Sequence, residues 1–311
     1  MDDYKNYSPQ ELLALYNGGF KGSKYEPEHY EQFVSSMQYS GLFAGGPDLY
    51  GSGKGKLSTP YKSVIKLSPV APYKERQVTG DCVSHGTRNA ADISRAVEID
   101  IKGELESFIT IGATEAIYGC RGSGGQGMSC SRAAEYVSRI GGVILRKKYD
   151  FIDLTNYQGM LGAGWGSRGI PSAVTQEAAK HKFVTSTLIR SVDEARDALA
   201  NGYGISVCSN YGFSSTRDSK GIARPSGSWN HCMAWTACDD TGSNGPLFLI
   251  QNSWGAFNGG GHPDWGPIPD GSFLITADVA ARMIGQGGAF VFSSFDGFPP
   301  QKLPNYGTDY L

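Results

Sequence analysis

The sequence predicts an α+β protein with two facing lobes: helices in the first half, antiparallel strands in the second. Three observations carry this. Between residues 82 and 201 the clearer apolar patterns recur at three to four residues, the spacing of a helix face. From residue 204 onward they change to short β-rich runs separated by turn residues. Glycine supplies 43 of the 311 residues, about twice its usual share, and charged residues only 19%, which points to long irregular connections. A site is expected in the cleft between the lobes.

The elements follow in chain order. Ser8-Pro-Gln-Glu11 ahead of Leu12, Leu13, Leu15 and Tyr16 reads as a short capped helix stopped by Gly18 and Gly19. A second short helix follows over 26–34. Gly41, Gly45, Gly46, Pro47, Gly51, Gly53 and Gly55, with Lys54 and Lys56, have the composition of a linker. Residues 64–69 read as a short strand leading into the main domain. A helix starts at Cys82, with Val83, Ala90, Ile93, Val97 and Ile101 near one face. Residues 108–118 are apolar, helical or buried. A glycine-rich loop spans 120–128, a helix spans 131–139, and 150–175 shows no clear period. Ser191-Val-Asp-Glu194 opens a helix that Gly202 stops. Strand runs cover 204–209, 231–238, 246–251 and 271–276, with another at 290–292.

A net charge of −2 without a basic run excludes the usual nucleic-acid footprint, and no apolar stretch approaches a membrane span. The N-terminus, Met1-Asp-Asp-Tyr-Lys, is not a secretory signal. The expected location is therefore the cytoplasm or a larger particle such as a virion. With six cysteines, no signal and a long chain, free thiols are the expectation. The cysteine spacings resemble no zinc knuckle, so no metal is expected.

The chemistry centres on residues 77–86. Cys82 follows a polar turn and opens a helix, where unpaired N–H groups and the dipole favour thiolate. The ordinary alternative is a buried core cysteine. His231 opens one strand run and Asn252 closes the next. If those strands are antiparallel neighbours, the amide can fix the imidazole tautomer and leave the other ring nitrogen for Cys82. Trp254 can cover that pair. The Gln77 amide and the Cys82 N–H can donate to an oxyanion. His85 shares the Cys82 helix face and is expected in the core or at the surface. His262 and Asp264 lie in a polar loop and are expected to be solvated.

These residues resemble the papain-like cysteine peptidases. The resemblance rests on Gln77 with Gly80-Asp81-Cys82, on Gly124-Gly125-Gln126-Gly127-Met128, on Asn230-His231, and on Asn252-Ser253-Trp254-Gly255 followed by 270–275. His231 lies 149 residues after Cys82, and Asn252 lies 170 after it, somewhat late against the roughly 130–150 of the family. The resemblance implies a two-lobed fold over 72–299, an N-terminal arm or prosegment-like extension over 1–71, and a tail over 300–311. It implies Cys82 as nucleophile, His231 as base and acid, Asn252 as orienting residue and Gln77 in the oxyanion hole. Gly124 and Gly125 would pair with an extended peptide, and Ile205 would wall the pocket for the side chain two before the scissile bond, with Cys232 at its rim. No cofactor is implied, and the partner is a peptide or protein substrate, with an assembly partner conceivable at the arm.

The departures are Val83 after the nucleophile, Thr79 three before it where the family has a cysteine, and Gln77 one residue closer than usual. Cys120 resembles the partner of that missing cysteine. The loop 256–270 is long and expected to shape one side of the cleft. The expected function is cysteine-peptidase hydrolysis. The alternatives are a fold retained as a structural or binding component, and a Cys-His amidase or acyltransferase.

Overall fold

The computed structural model describes residues 6–68, 75–102 and 110–306. Its first elements are α1 (Pro9–Asn17), β1 (Ser23–Lys24), α2 (Pro27–Ser35), α3 (Leu42–Gly45), β2 (Leu57–Ser58) and α4 (Tyr61–Leu67). The long α5 (Cys82–Lys102) follows, then α6 (Glu115–Gly119), β3 (Met128–Ser129), α7 (Cys130–Glu135), the β4 (Lys148–Tyr149) and β5 (Ile152–Asp153) hairpin, α8 (Gly159–Arg168) and α9 (Ser172–Ala178). The remainder is β6 (Thr185–Leu188), α10 (Val192–Ala200), β7 (Ile205–Arg217), β8 (Ala223–Asp239), β9 (Leu247–Gln251), β10 (Gly259–Gly260), β11 (Ser272–Thr276), α11 (Ala277–Ile284) and β12 (Ala289–Ser293).

The main sheet runs β11-β9-β8-β7-β12-β6, antiparallel at every step. Helix α5 packs on β8, β7 and β12. Its residues from Cys82 to Ser94 are all buried, including Arg88 and Asp92. One apolar core joins α5 to α6, α7 and α8, while a second fills the other side of the sheet around Trp229, Trp235 and Trp254. These are the two predicted lobes. Among the described residues, no helix is long and apolar enough to cross a membrane.

Ser8 and Glu11 form the predicted reciprocal cap on α1. The Ser191 hydroxyl caps α10 through Glu194 N–H, but the Glu194 carboxylate turns back to Arg190 N–H. Several expectations are corrected. Residues 61–67 form helix α4, packed on α5, where a strand was expected from 64; residue 69 lies outside the described residues. The helix expected over 131–139 ends at Glu135 and continues as a π turn to Ile140. The stretch without a period holds α8 and α9. Ile101, expected on the buried helix face, is exposed near the end of α5. Residues 108 and 109 of the apolar stretch lie outside the description.

The glycine tract is a packed seam, not a flexible spacer. Leu42 and Leu49 are fully buried, and β2 pairs with β8. Gly51 and Gly53 donate their N–H groups to the buried Asp197 carboxylate at 2.7 and 2.9 Å. A methyl on Gly46 would lie 2.4 Å from the Phe298 carbonyl oxygen. The glycines serve close approach.

The cysteines depart from the free-thiol expectation at one pair. Cys130 and Cys208 form a disulfide, while Cys82, Cys120, Cys232 and Cys238 are free.

Candidate active site

The turn before α5 is set first. Asp81 accepts from Ser84 and His85 N–H through its backbone carbonyl, starting the helix. Gln126 Oε1 takes Gly80 N–H at 2.6 Å and the Thr79 hydroxyl at 2.9 Å, so the 79–81 turn is held by the glycine-rich loop. A buried ion cluster fixes the strand of chain leading in. Glu75 meets Arg88 at 3.1 Å and also pairs with Arg146, which in turn reaches Glu115. Cys82 thereby sits on the first turn of α5, as the sequence predicts.

His231 and Asn252 come together from neighbouring strands. His231 is interior to β8 rather than at its start; Asn252 follows β9, which pairs antiparallel with β8. Asn252 Oδ1 accepts from Ser253 N–H at 2.7 Å and lies 2.8 Å from His231 Nε2. An oxygen already accepting a backbone N–H is an acceptor for the ring too, so Nε2 carries the proton. Nδ1 then holds the lone pair, and it is buried without a hydrogen-bond partner. Trp254 lies 4.8 Å from the imidazole, ring centre to ring centre, and covers the pair.

Gln77 joins the same group. Its Oε1 accepts from Ser253 Oγ at 2.6 Å and from Trp254 Nε1 at 3.2 Å, and its backbone N–H donates to Ser253 O. Those contacts turn Nε2 toward Thr79 O and, at 3.3 Å, the hydroxyl of Tyr16.

Tyr16 is the residue that sequence reasoning missed. Its hydroxyl accepts from Gln77 and lies with the Cys82 sulfur against Gly22, and its ring packs at 4.7 Å from His231 and 4.9 Å from Trp254. All four side chains are fully buried. The arm continues through the cleft. Gly22 O accepts from Met128 N–H, β1 pairs parallel with β3, and Lys21 bridges to Asn230 on the opposite lobe. A methyl on Gly22 would lie 2.3 Å from Tyr16 Oη and 2.7 Å from Cys82 Sγ, so only glycine passes here undisturbed. The signal for this lay in Tyr16 itself, an aromatic on the apolar face of α1, but nothing in the sequence says which surface that face meets.

Burial sets the electrostatics. Desolvation pushes the Cys82 thiol up to about 12, against the lowering effect of the Tyr16 and backbone hydrogen bonds. Desolvation lowers His231 to about 3, opposed by the Asn252 bond and assisted by the nearby His85. In this closed arrangement both groups are neutral, and the helix-terminus advantage expected for Cys82 is outweighed.

The remaining predicted residues distribute as follows. His85 is buried against Asp81, at 3.5 Å, and the Tyr157 ring. His262 and Asp264 are exposed. Gly124 and Gly125 lie in the exposed part of their loop, away from the strand pairing, which is made by Met128 and Ser129. The close-approach glycine is Gly127, where a methyl would lie 2.2 Å from Lys21 O. Ile205 is fully buried in the core on the Trp235 side of the sheet. Strand alternation puts Cys208, three residues on, on the other face. Cys208 and Asn230 instead line a pocket of about 240 Å³ beside β1. Cys232 is buried, with its sulfur 3.7 Å from that of Cys130. The long 256–270 loop folds back, with β10 pairing to β7 and Phe257 packing on Trp254.

Two lobes facing across a cleft, with α5 leading from the cleft and an antiparallel sheet opposite, define the papain-like cysteine-protease fold. No protein-family model and no curated protein matches this chain. Solved structures do. Xylellain, a cysteine protease from Xylella fastidiosa, matches with a TM-score of 0.52 at 17% identity, over 76% of this chain and 90% of its own. The proform of the ragweed pollen allergen Amb a 11, a cysteine protease, matches with 0.54 at 14% identity, over 94% and 78%. A proCathepsin B from Trypanosoma congolense matches with 0.52 at 12% identity, over 92% and 88%. At these identities the likeness establishes the fold.

Proposed function

We propose that this chain is a cysteine peptidase held inactive by its own N-terminal arm. The observation that carries the reading is the meeting of Cys82, His231, Asn252 and Gln77 around one foreign side chain, Tyr16. The Tyr16 oxygen accepts from Gln77 Nε2 beside the Cys82 sulfur. That is where the oxygen of a carbonyl under attack would need its donors. The phenol thus holds the place of substrate, and the 21–24 segment takes the peptide's backbone partners by strand addition. Two of the solved structures that match this chain over nearly its whole length are titled as proforms, which supports an arm that precedes activity.

With Tyr16 withdrawn, water reaches the cleft and the desolvation holding both groups neutral is relieved. The Cys82 proton moves to His231 Nδ1, which the Asn252 bond leaves unprotonated. The thiolate adds to a peptide carbonyl. The oxyanion takes hydrogen bonds from Gln77 Nε2 and the Cys82 N–H. The imidazolium then protonates the leaving amine, and water, deprotonated by His231, resolves the acyl-enzyme. These steps need no metal or cofactor.

The rival is a papain-like fold kept as a structural component, and the complete burial of Cys82 supports it. Peptide hydrolysis by Tyr16→Ala, absent in Tyr16→Ala with Cys82→Ala, supports the peptidase reading. A Tyr16→Ala protein whose Cys82 alkylates readily but cleaves no peptide library would sink it. Transfer to an added amine in preference to water would instead indicate an acyltransferase.

A further inference from the structure

The pocket beside β1 is bridged by sulfur. Cys130, at the start of α7, and Cys208, on β7, both line it and are joined by their disulfide. The bond therefore ties the helical lobe to the sheet. A third sulfur stands behind it: Cys232 Sγ is 3.7 Å from Cys130 Sγ, and the three sulfur atoms all lie within 4.8 Å of one another. Cys232 is free, almost fully buried, and contacts Ser206 Oγ at 3.4 Å. It also follows His231 directly in β8, and its sulfur lies against Gly86 of α5. A disulfide with a free thiol against one of its sulfur atoms, at the wall of an open pocket, has the components for thiol–disulfide exchange.

We propose that Cys130, Cys208 and Cys232 form an exchange site for a small monothiol entering this pocket. The incoming thiolate attacks Cys130 Sγ. The Cys130–Cys208 bond breaks, its electron pair leaves on Cys208, and that sulfur takes a proton. Cys232 then gives up its proton and attacks Cys130 Sγ, and the small thiolate leaves and is reprotonated. The products are a Cys130–Cys232 disulfide, a free Cys208 thiol in the pocket and the regenerated monothiol. No net oxidant or reductant is consumed. The new bond ties Cys232 to α7 and unties α7 from β7. The pocket so acquires two covalent forms, one of which ties α7 to the β8 residue that follows His231.

The reaction requires Cys232 to shed its proton inside the protein, and burial disfavours that. Exchange is accordingly slow at neutral pH and quickens as pH rises.

The test uses the full chain carrying Cys82→Ser, which silences the candidate nucleophile and makes the result independent of peptidase activity. The protein is incubated with glutathione, quenched in acid, alkylated, and its disulfides are mapped by peptide mass spectrometry, with circular dichroism confirming the fold. The untreated protein should yield the 130–208 linkage. Glutathione should convert it to a 130–232 linkage with alkylated Cys208. Adding Cys232→Ala should stop the reaction at a glutathione adduct on Cys130. Should that variant not fold, Cys208→Ser provides the second arm, in which oxidised glutathione should join Cys130 to Cys232. Free Cys130 and Cys208 in the untreated folded protein would overturn the proposal. So would a 130–208 bond that reacts only on unfolding, or one reduced to two thiols with neither adduct nor 130–232 linkage.

Discussion

Replacing Tyr16 by alanine should expose Cys82 to reagent without unfolding the protein. Tyr16 is fully buried in the closed cleft, where its ring touches His231, Trp254 and Phe20 and its hydroxyl accepts from Gln77 beside Cys82. Truncating a buried aromatic to alanine costs about 3–5 kcal/mol. With the arm released, Tyr16 is in water, so the loss falls on the closed form. Every 1.4 kcal/mol is about tenfold, so the open population should rise by roughly two orders of magnitude or more. The assay is the rate of Cys82 alkylation by intact mass, with labelling of Cys238, buried in the sheet, as the reporter of global unfolding. Tyr16→Phe keeps the ring and removes one hydrogen bond worth about 1 kcal/mol, so it should accelerate labelling only about fivefold. Equal rates in wild type and Tyr16→Ala would refute the arm as the gate. Equal acceleration at Cys82 and Cys238 would refute it too, since it would mean that the whole fold had loosened.

The pH dependence has a definite sign. His231 is depressed to about 3 in the closed form, against roughly 6.5 when free. The opened form therefore binds the extra proton below about pH 6.5, and closure weakens by up to about 1.4 kcal/mol per unit down toward pH 3. Cys82, raised to about 12, weakens closure in the opposite direction once pH passes its free value of about 8.5. Cys82 labelling by a disulfide reagent active in acid should thus rise between pH 6 and 4, and His231→Gln should flatten that rise. Gly22→Ala should open the arm through overpacking against Tyr16 and Cys82, at about 1–3 kcal/mol; unchanged labelling would contradict the close approach described above. In the Tyr16→Ala background, Gln77→Ala should lower kcat by about 10²–10³-fold, and an unaltered kcat would remove Gln77 from the oxyanion role. Asp197→Ala should cost about 1–3 kcal/mol in urea unfolding, because it leaves two glycine N–H groups without their acceptor, while Arg196 keeps Asp193.

What the sequence disclosed and what it hid divide along a physical line. The Cys82 helix, the cap at Ser8 and the strand runs are set by residues within a turn or two of one another, and composition at that range is legible. The His231–Asn252 pair was also within reach, because consecutive apolar strands joined by a short turn commonly pair. Tyr16 was not: its meaning depends on α1 crossing to a surface built from residues some sixty to more than two hundred positions away, and no local pattern encodes that docking. The glycine tract misled for the same reason. Glycine supplies freedom in an open chain and closeness in a packed one, and the partner that decides between these, Asp197, lies almost 150 residues downstream. The helix-terminus argument for a reactive Cys82 had the same gap. It counted the favourable dipole, which is local, and omitted the burial imposed by the distant arm, which is larger. On the function proposed above, reactivity depends on whether the arm is docked, and the sequence around Cys82 specifies only one side of that balance.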